Sequence, residues 1–219
     1  MTSPTSPVAG WRGRGDADPL TLVLLRHGVT TNTVGRLFWG SGGTDPGITA
    51  EGEAQAERAA EHLHRLGQVE AIVSSPLRRT QETAGIVARR LGMDVELEPG
   101  LAEAAFGGWD GHGFTDIMQK WPAEMDAWLG STSVAPPGGE SFDDVSARAE
   151  EALTGLVDRF AGKTVVAVSH VTPIKLLVRL ALDSPMHVIH RMELAPASLT
   201  TIAWWPGGAP SLRAFSHVP

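Results

Sequence analysis

Leu20-Thr21-Leu22-Val23-Leu24-Leu25-Arg26-His27-Gly28 is an apolar run that stops abruptly at a cation, an imidazole and a glycine. Such a short, almost uniformly apolar segment reads as a strand covered on both faces, and its natural host is a parallel sheet. In open α/β sheets, ligands bind beyond the carboxyl ends of the strands. Arg26 and His27 therefore arrive where a ligand would sit, a nucleophile or base beside an anion clamp, in a turn that Gly28 permits. That pairing suits chemistry on phosphate.

The flanking sequence supports the same architecture. Residues 51–66 carry Ala54, Ala59, Leu63 and Leu66 among charges, with Thr49 placed to cap an amphipathic helix. A brief strand at 71–73 ends in Ser74-Ser75-Pro76, helical spacing resumes over 77–91, and 95–97 reads as a third strand. Between Gly100 and Gly139 the pattern loosens, with one helix expected around 114–129 and a break at Pro136-Pro137-Gly138-Gly139. This stretch, about 104–140, reads as an insertion that lids a site. A helix over 141–160, a strand over 164–168 and a helix over 173–182 with proline in its first turn follow. Two strands, 199–204 and 212–215, close the chain as a hairpin around Pro206-Gly207-Gly208. Strands alternating with helices predict a three-layer α/β/α sandwich with a mostly parallel central sheet.

Composition narrows the partners. The 219 residues favour one domain, 20–219, preceded by a Ser-, Pro- and Gly-rich arm or linker at 1–19 that lacks the apolar core of a signal peptide or anchor. With 18 basic against 25 acidic residues the formal charge is −7, so no global positive field exists to hold nucleic acid or an anionic membrane. Any anion site must be local. The absence of cysteine excludes disulfides, thiolate metal sites and cysteine nucleophiles, and makes the cytoplasm the default compartment. Scattered acidic residues read as a solvated face, and neither a metal nor another cofactor is expected.

Three predicted strand ends converge. The first delivers Arg26-His27, the strand at 164–168 delivers Ser169-His170, and the strand at 71–73 leads through Ser75 and Pro76 to Arg78-Arg79 at a helix start whose N–H groups favour anions. Any one of these residues alone is as readily structural. Together they assemble two histidines and two arginines around one point.

The ordered segments resemble the histidine phosphatase superfamily, branch 1, also called phosphoglycerate mutase-like. Arg26-His27-Gly28 matches its name motif. Ser75-x-Leu77-x-Arg79-Thr80 with Glu82-Thr83-Ala84 matches its second-arginine segment, Leu101-x-Glu103-x-x-Phe106-Gly107-x-Trp109-Asp110-Gly111 its proton-donor segment, and Val168-Ser169-His170 its second-histidine segment. The resemblance implies a metal-independent enzyme in which His27 accepts the phosphoryl group, Arg26, Arg79 and His170 clamp its oxygens, and Glu103 is general acid and then base. Leu101, Ala104, Ala105 and Phe106 supply the apolar surroundings a proton-donating carboxyl needs. Arg78, one residue earlier on the helix, should point elsewhere. Thr30, Asn32, Val171, Ser141 and Trp109 are the further candidates for substrate contact. Against each stands a plainer role: turn residues for Thr30 and Asn32, a helix cap for Ser141. The superfamily commonly places asparagine and arginine where this chain has Thr33 and Leu37, with Asn32 and Arg36 one step early, and it continues its second histidine with Gly-Gly where Val171-Thr172 stand here.

A phosphomonoester hydrolase is favoured over a mutase, because Lys120 is the one strong cation expected among the acidic residues of the lid-like stretch, while Phe106, Trp109, Phe114, Trp121 and Trp128 suit an apolar or ring-bearing leaving group. The loop Gly40-Ser41-Gly42-Gly43-Thr44-Asp45-Pro46 and the run from Ser169 to Lys175 look like the phosphatase domain of actinobacterial bifunctional ribonuclease H/acid phosphatase proteins. No ribonuclease H portion is expected here. That likeness makes α-ribazole 5′-phosphate a candidate among small phosphomonoester substrates. A phosphoglycerate mutase and a phospho-ligand binding module without turnover are the alternatives, and a homodimer is one open arrangement.

Overall fold

The computed structural model describes residues 18–219, so the expected arm lies outside the described residues except for Asp18 and Pro19. Six strands form one sheet: β1 (Leu20–Arg26), β2 (Ala71–Ser74), β3 (Val95–Leu97), β4 (Thr164–Ser169), β5 (Leu199–Trp204) and β6 (Ser211–His217). Their order is β3-β2-β4-β1-β5-β6. The four from β3 to β1 are mutually parallel, and β5 and β6 add an antiparallel edge. The helices are α1 (Thr31–Gly35), α2 (Ala50–Leu66), α3 (Arg78–Leu91), α4 (Phe114–Lys120), α5 (Pro122–Gly130), α6 (Phe142–Arg159) and α7 (Val171–Ala181).

The opening strand is apolar on both faces because both are covered. Leu20, Leu22 and Leu24 pack with Ala149, Leu153 and Leu156 of α6 and Ile174, Leu177 and Val178 of α7. Val23 and Leu25, on the opposite face by the two-residue period of a strand, join Ala56, Ala59, Ala60 and Leu63 of α2 and Ala84, Ile86, Val87 and Ala88 of α3. β4 divides likewise, with Val165 and Ala167 on one face and Val166 and Val168 on the other. The result is the expected three-layer sandwich.

Thr49 caps α2 as expected, its hydroxyl accepting from the Gly52 amide. Gly28 has a different reason from the one the sequence suggests. Its φ is not positive, but a Cβ there would lie 2.4 Å from the Gly52 carbonyl oxygen, and one on Gly52 would meet the Val29 carbonyl at the same distance. The loop after β1 thus rests directly on the first turn of α2. Two expectations are corrected. The helix at 114–129 is two helices, broken at Trp121 (φ −136°, ψ 57°), because the ring of Pro122 disfavours a helical residue before it and offers no amide to continue the ladder. The turn after Gly28 contains a helix, α1. The whole excursion from Ala104 to Val145 builds its own cluster of Phe106, Trp109, Ile117, Met125, Trp128 and Phe142, which seats on Leu176 of α7.

Candidate active site

β1, β4 and β2 end side by side. Arg26 pairs in register with Ser169, the His27 amide donates to the Ser169 carbonyl, and the Ser75 amide donates to the Val168 carbonyl. The ladder therefore runs into the site and fixes its backbone. A cleft of about 230 Å³ opens there, lined by Arg26, His27, Arg79 and Glu103, by the 30–39 loop and by Val171 and Thr172 of α7.

His27 is 5% exposed, and its Nδ1 lies 2.8 Å from the Gly28 carbonyl oxygen. A carbonyl only accepts, so the proton sits on Nδ1 and the Nε2 lone pair is free. Burial, with Arg26 and Arg79 adding to it, lowers the His27 pKa to about 3. The imidazole is neutral at any ordinary pH, as a nucleophile must be.

His170 is fully buried with its ring centroid 5.2 Å from that of His27, and it lies behind the cleft lining. Its Nε2 is 2.8 Å from the Ser75 hydroxyl, which also accepts from the Leu77 amide. If Ser75 gives its proton to Nε2, the His170 Nδ1 becomes a buried N–H donor, and that nitrogen has no partner among the described residues. Burial, and then the charge of Arg79, hold His170 well below the ordinary histidine range.

The two arginines are held differently. Arg26 comes off β1, donates to the Leu194 carbonyl and keeps a buried, unpartnered Nε. Burial lowers its pKa to about 10, opposed by Glu103 and assisted by Arg79. Arg79, on the first turn of α3, is 3% exposed; one guanidinium nitrogen lies 3.2 Å from an Asp45 carboxylate oxygen and another donates to the Trp39 carbonyl at 3.4 Å. Arg78 turns outward to Glu82, as expected. Thr83 accounts for another part of that motif, since its hydroxyl accepts from the Gly28 amide and donates to the Arg79 carbonyl.

Glu103 is 7% exposed, with Oε1 accepting from the amides of Ala104 (2.9 Å) and Thr172 (3.3 Å), and Oε2 makes no hydrogen bond among the described residues. Its backbone is clamped from outside. Arg148 of α6 donates to the carbonyls of Gly100, Ala102 and Glu103 and pairs with both oxygens of Glu140, which in turn accepts from the Ala105 amide. Burial opposes a charge on Glu140, but Arg148 and the Ala105 amide outweigh it and lower its pKa.

The sequence profile of the histidine phosphatase superfamily (branch 1) matches residues 22–216. This chain belongs to that superfamily. The bifunctional protein Rv2228c of Mycobacterium tuberculosis is 44% identical over 212 residues, 96% of this chain but 57% of that protein, so the chain spans little more than half of that relative. A mycobacterial glucosyl-3-phosphoglycerate phosphatase, solved with VO3, superposes with a TM-score of 0.81 at 31% identity, covering 90% of this chain and 99% of the other. An Escherichia coli protein provisionally assigned as an α-ribazole-5′-P phosphatase gives 0.81 at 25% identity, covering 92% and 99%.

In this member of the superfamily the expected substrate contacts divide. Thr30, Asn32 and Val171 line the cleft. The Thr30 hydroxyl is occupied in capping α1, where it accepts from the Thr33 amide. Ser141 caps α6 in a reciprocal box with Asp144 and does not line the cleft. Trp109 is fully buried and packs edge-on against Phe38 and Trp128, so it belongs to the core of the excursion and not to the cleft. Arg36, one step from the superfamily's usual arginine position, still reaches the cleft wall, as do Thr33 and Leu37. The contacts of Asp45, Ser75, Glu140 and Arg148 are not legible in the sequence, because an ion pair or a hydrogen bond between segments distant in the chain leaves no local pattern. Among the described residues no helix is long and apolar enough to cross a membrane, and no three His, Asp or Glu are grouped to hold a metal.

Proposed function

We propose that this protein hydrolyses a small phosphomonoester through a phosphohistidine at His27, with α-ribazole 5′-phosphate a candidate substrate. One observation carries the reading: beside the free Nε2 of His27 lie buried side-chain nitrogens that lack partners, Arg26 Nε a donor always and His170 Nδ1 a donor when its Nε2 accepts from Ser75. Of four such side-chain nitrogens among the described residues, two are Arg26 Nε and His170 Nδ1. Unpaired buried donors are costly, and a tetrahedral oxyanion would satisfy both.

In the first step Nε2 attacks phosphorus in line, the P–N bond forms as the ester P–O bond breaks, and Glu103 gives its proton to the departing alkoxide. In the second, the Glu103 carboxylate takes a proton from water, whose oxygen attacks phosphorus. The P–N bond then breaks and inorganic phosphate leaves. The clamp falls to Arg26, Arg79 and the His170 Nδ1–H, and no step is assigned to a metal. Because His27 stays neutral down to about pH 3, its protonation would not limit the reaction in mild acid, in keeping with an acid phosphatase. The excursion would act as the lid, since it begins directly after Glu103 and supplies Phe106 to the cleft. The relatives add support, since two solved neighbours carry phosphatase names.

The test is hydrolysis of p-nitrophenyl phosphate by wild type and His27→Ala. A loss of roughly a thousandfold or more is expected, and equal rates would overturn the reading. Acid quenching with labelled substrate should trap label on His27, and a panel containing α-ribazole 5′-phosphate and 3-phosphoglycerate separates hydrolysis from mutase action.

A further inference from the structure

A second chamber of about 200 Å³ adjoins the cleft and shares Phe38, Phe106, Val171 and Thr172 with it. Trp128, Phe142 and Ile189 make its remaining walls largely apolar, and His190 stands at the exposed rim. The exception is Lys175. Val171, Thr172 and Lys175 follow one another on α7 at spacings that share a helix face, so the lysine lies one turn beyond the residues common to both chambers. It is partly buried and makes no hydrogen bond or ion pair among the described residues.

We propose that this chamber holds the leaving group of the substrate, and that the group it selects is a flat apolar body ending in a carboxylate that pairs with Lys175. The proposal rests on the phosphatase reading for what occupies the neighbouring cleft. Three observations favour this occupant. The aromatic walls suit a ring or a comparably flat surface. A half-buried ammonium without a partner lacks a counter-ion, and burial holds Lys175 below the ordinary lysine value, an effect that Arg26 deepens and the carboxylates of Glu103 and Glu193 oppose from beyond contact. Finally, a single compact cation among apolar walls balances one negative charge, whereas a second phosphate would bury charge that Lys175 alone does not neutralise. The lid-like stretch carries Lys120 alone as a strong cation, and the relevant one comes from α7, across the chamber. α-Ribazole 5′-phosphate would fill the aromatic walls but leave Lys175 unpaired.

Equilibrium binding of benzylphosphonate and 4-carboxybenzylphosphonate, neither of which is hydrolysed, reads the chamber independently of turnover. The wild-type protein should bind the carboxylated ligand about tenfold more tightly, and Lys175→Met should abolish that preference while benzylphosphonate still binds. Lys175→Gln serves if the methionine variant does not fold. Equal affinities in the wild type, or a preference that survives loss of the ammonium, would overturn the proposal. If p-nitrophenyl phosphate is hydrolysed equally by wild type and His27→Ala, the phosphatase reading fails instead, and the ratio of ligand affinities still stands or falls by itself.

Discussion

The two halves of the site are built by different means. The phosphate side, with Arg26, His27 and His170, hangs on consecutive strand ends whose backbones are locked by the β1–β4 and β2–β4 ladders. The other side, with Glu103, Phe106 and the second chamber, is assembled from an irregular excursion, held by the Glu140–Arg148 pair and an aromatic cluster, and from the face of α7 on which it packs. Backbone pairing tolerates little displacement, while side-chain clamps can be exchanged one by one. The contrast suggests that the phosphate clamp is fixed by the sheet and the choice of substrate by the excursion together with α7.

That contrast is breakable. After His27→Ala, the largest expected effect is at the phosphate clamp: Arg79→Lys keeps the charge but loses the fork that meets both Asp45 and the cleft, and kcat/KM should fall about a hundredfold. A change of less than threefold would show that Arg79 only positions the loop around Asp45.

Next comes the clamp on the excursion. Arg148→Ala releases the carbonyls around Glu103 and should cost roughly tenfold in kcat through misplacement of the carboxyl, together with about 1–3 kcal/mol of stability. Because Arg148 acts through Glu103, the pH profile of kcat/KM should shift as well. A loss of stability with an unmoved profile would make it merely structural.

The buried histidines couple the phosphate half to acid. The His27 pKa falls from the ordinary 6.5 to about 3 on folding, so between those values the unfolded chain binds more protons than the folded one. Stability should be level above pH 7 and decline as the pH drops from 6.5 toward 3, and His170 contributes in the same direction. Thermal melts at pH 7.5 and 5 should show a smaller drop for a His27→Gln, His170→Gln double variant than for wild type, and equal drops would refute the coupling. The smallest effect is expected at Arg78, whose exposed pair with Glu82 adds about 0.3–0.5 kcal/mol, so Arg78→Ala should leave turnover near wild type.

Four of the five residues of the candidate catalytic set were legible because each sits beside a strong local signal, whereas Glu103 lies in an irregular stretch and was marked only by the superfamily motif. Arg26 and His27 end an apolar strand, His170 ends another, and Arg79 opens a helix. Trp109 and Ser141 mislead for the converse reason, since an aromatic in a glycine-rich stretch and a serine before a helix look alike whether they meet substrate or core. Only packing separates them: Trp109 is sealed against Phe38 and Trp128, and the Ser141 hydroxyl is consumed by Asp144.

By itself the order of apolar runs, caps and turn residues determined the layered sheet and brought Arg26, His27, Arg79 and His170 to one edge of it, because those signals are local and repeat with the period of each element, while Glu103 was marked only by the superfamily motif. The tertiary structure decided the pairing of His170 with Ser75, of Arg79 with Asp45 and of Glu103 with the Thr172 amide, and the meeting of Lys175 with aromatic walls from four separate segments. Those depend on contacts between residues tens of positions apart, and no periodicity in the chain records them.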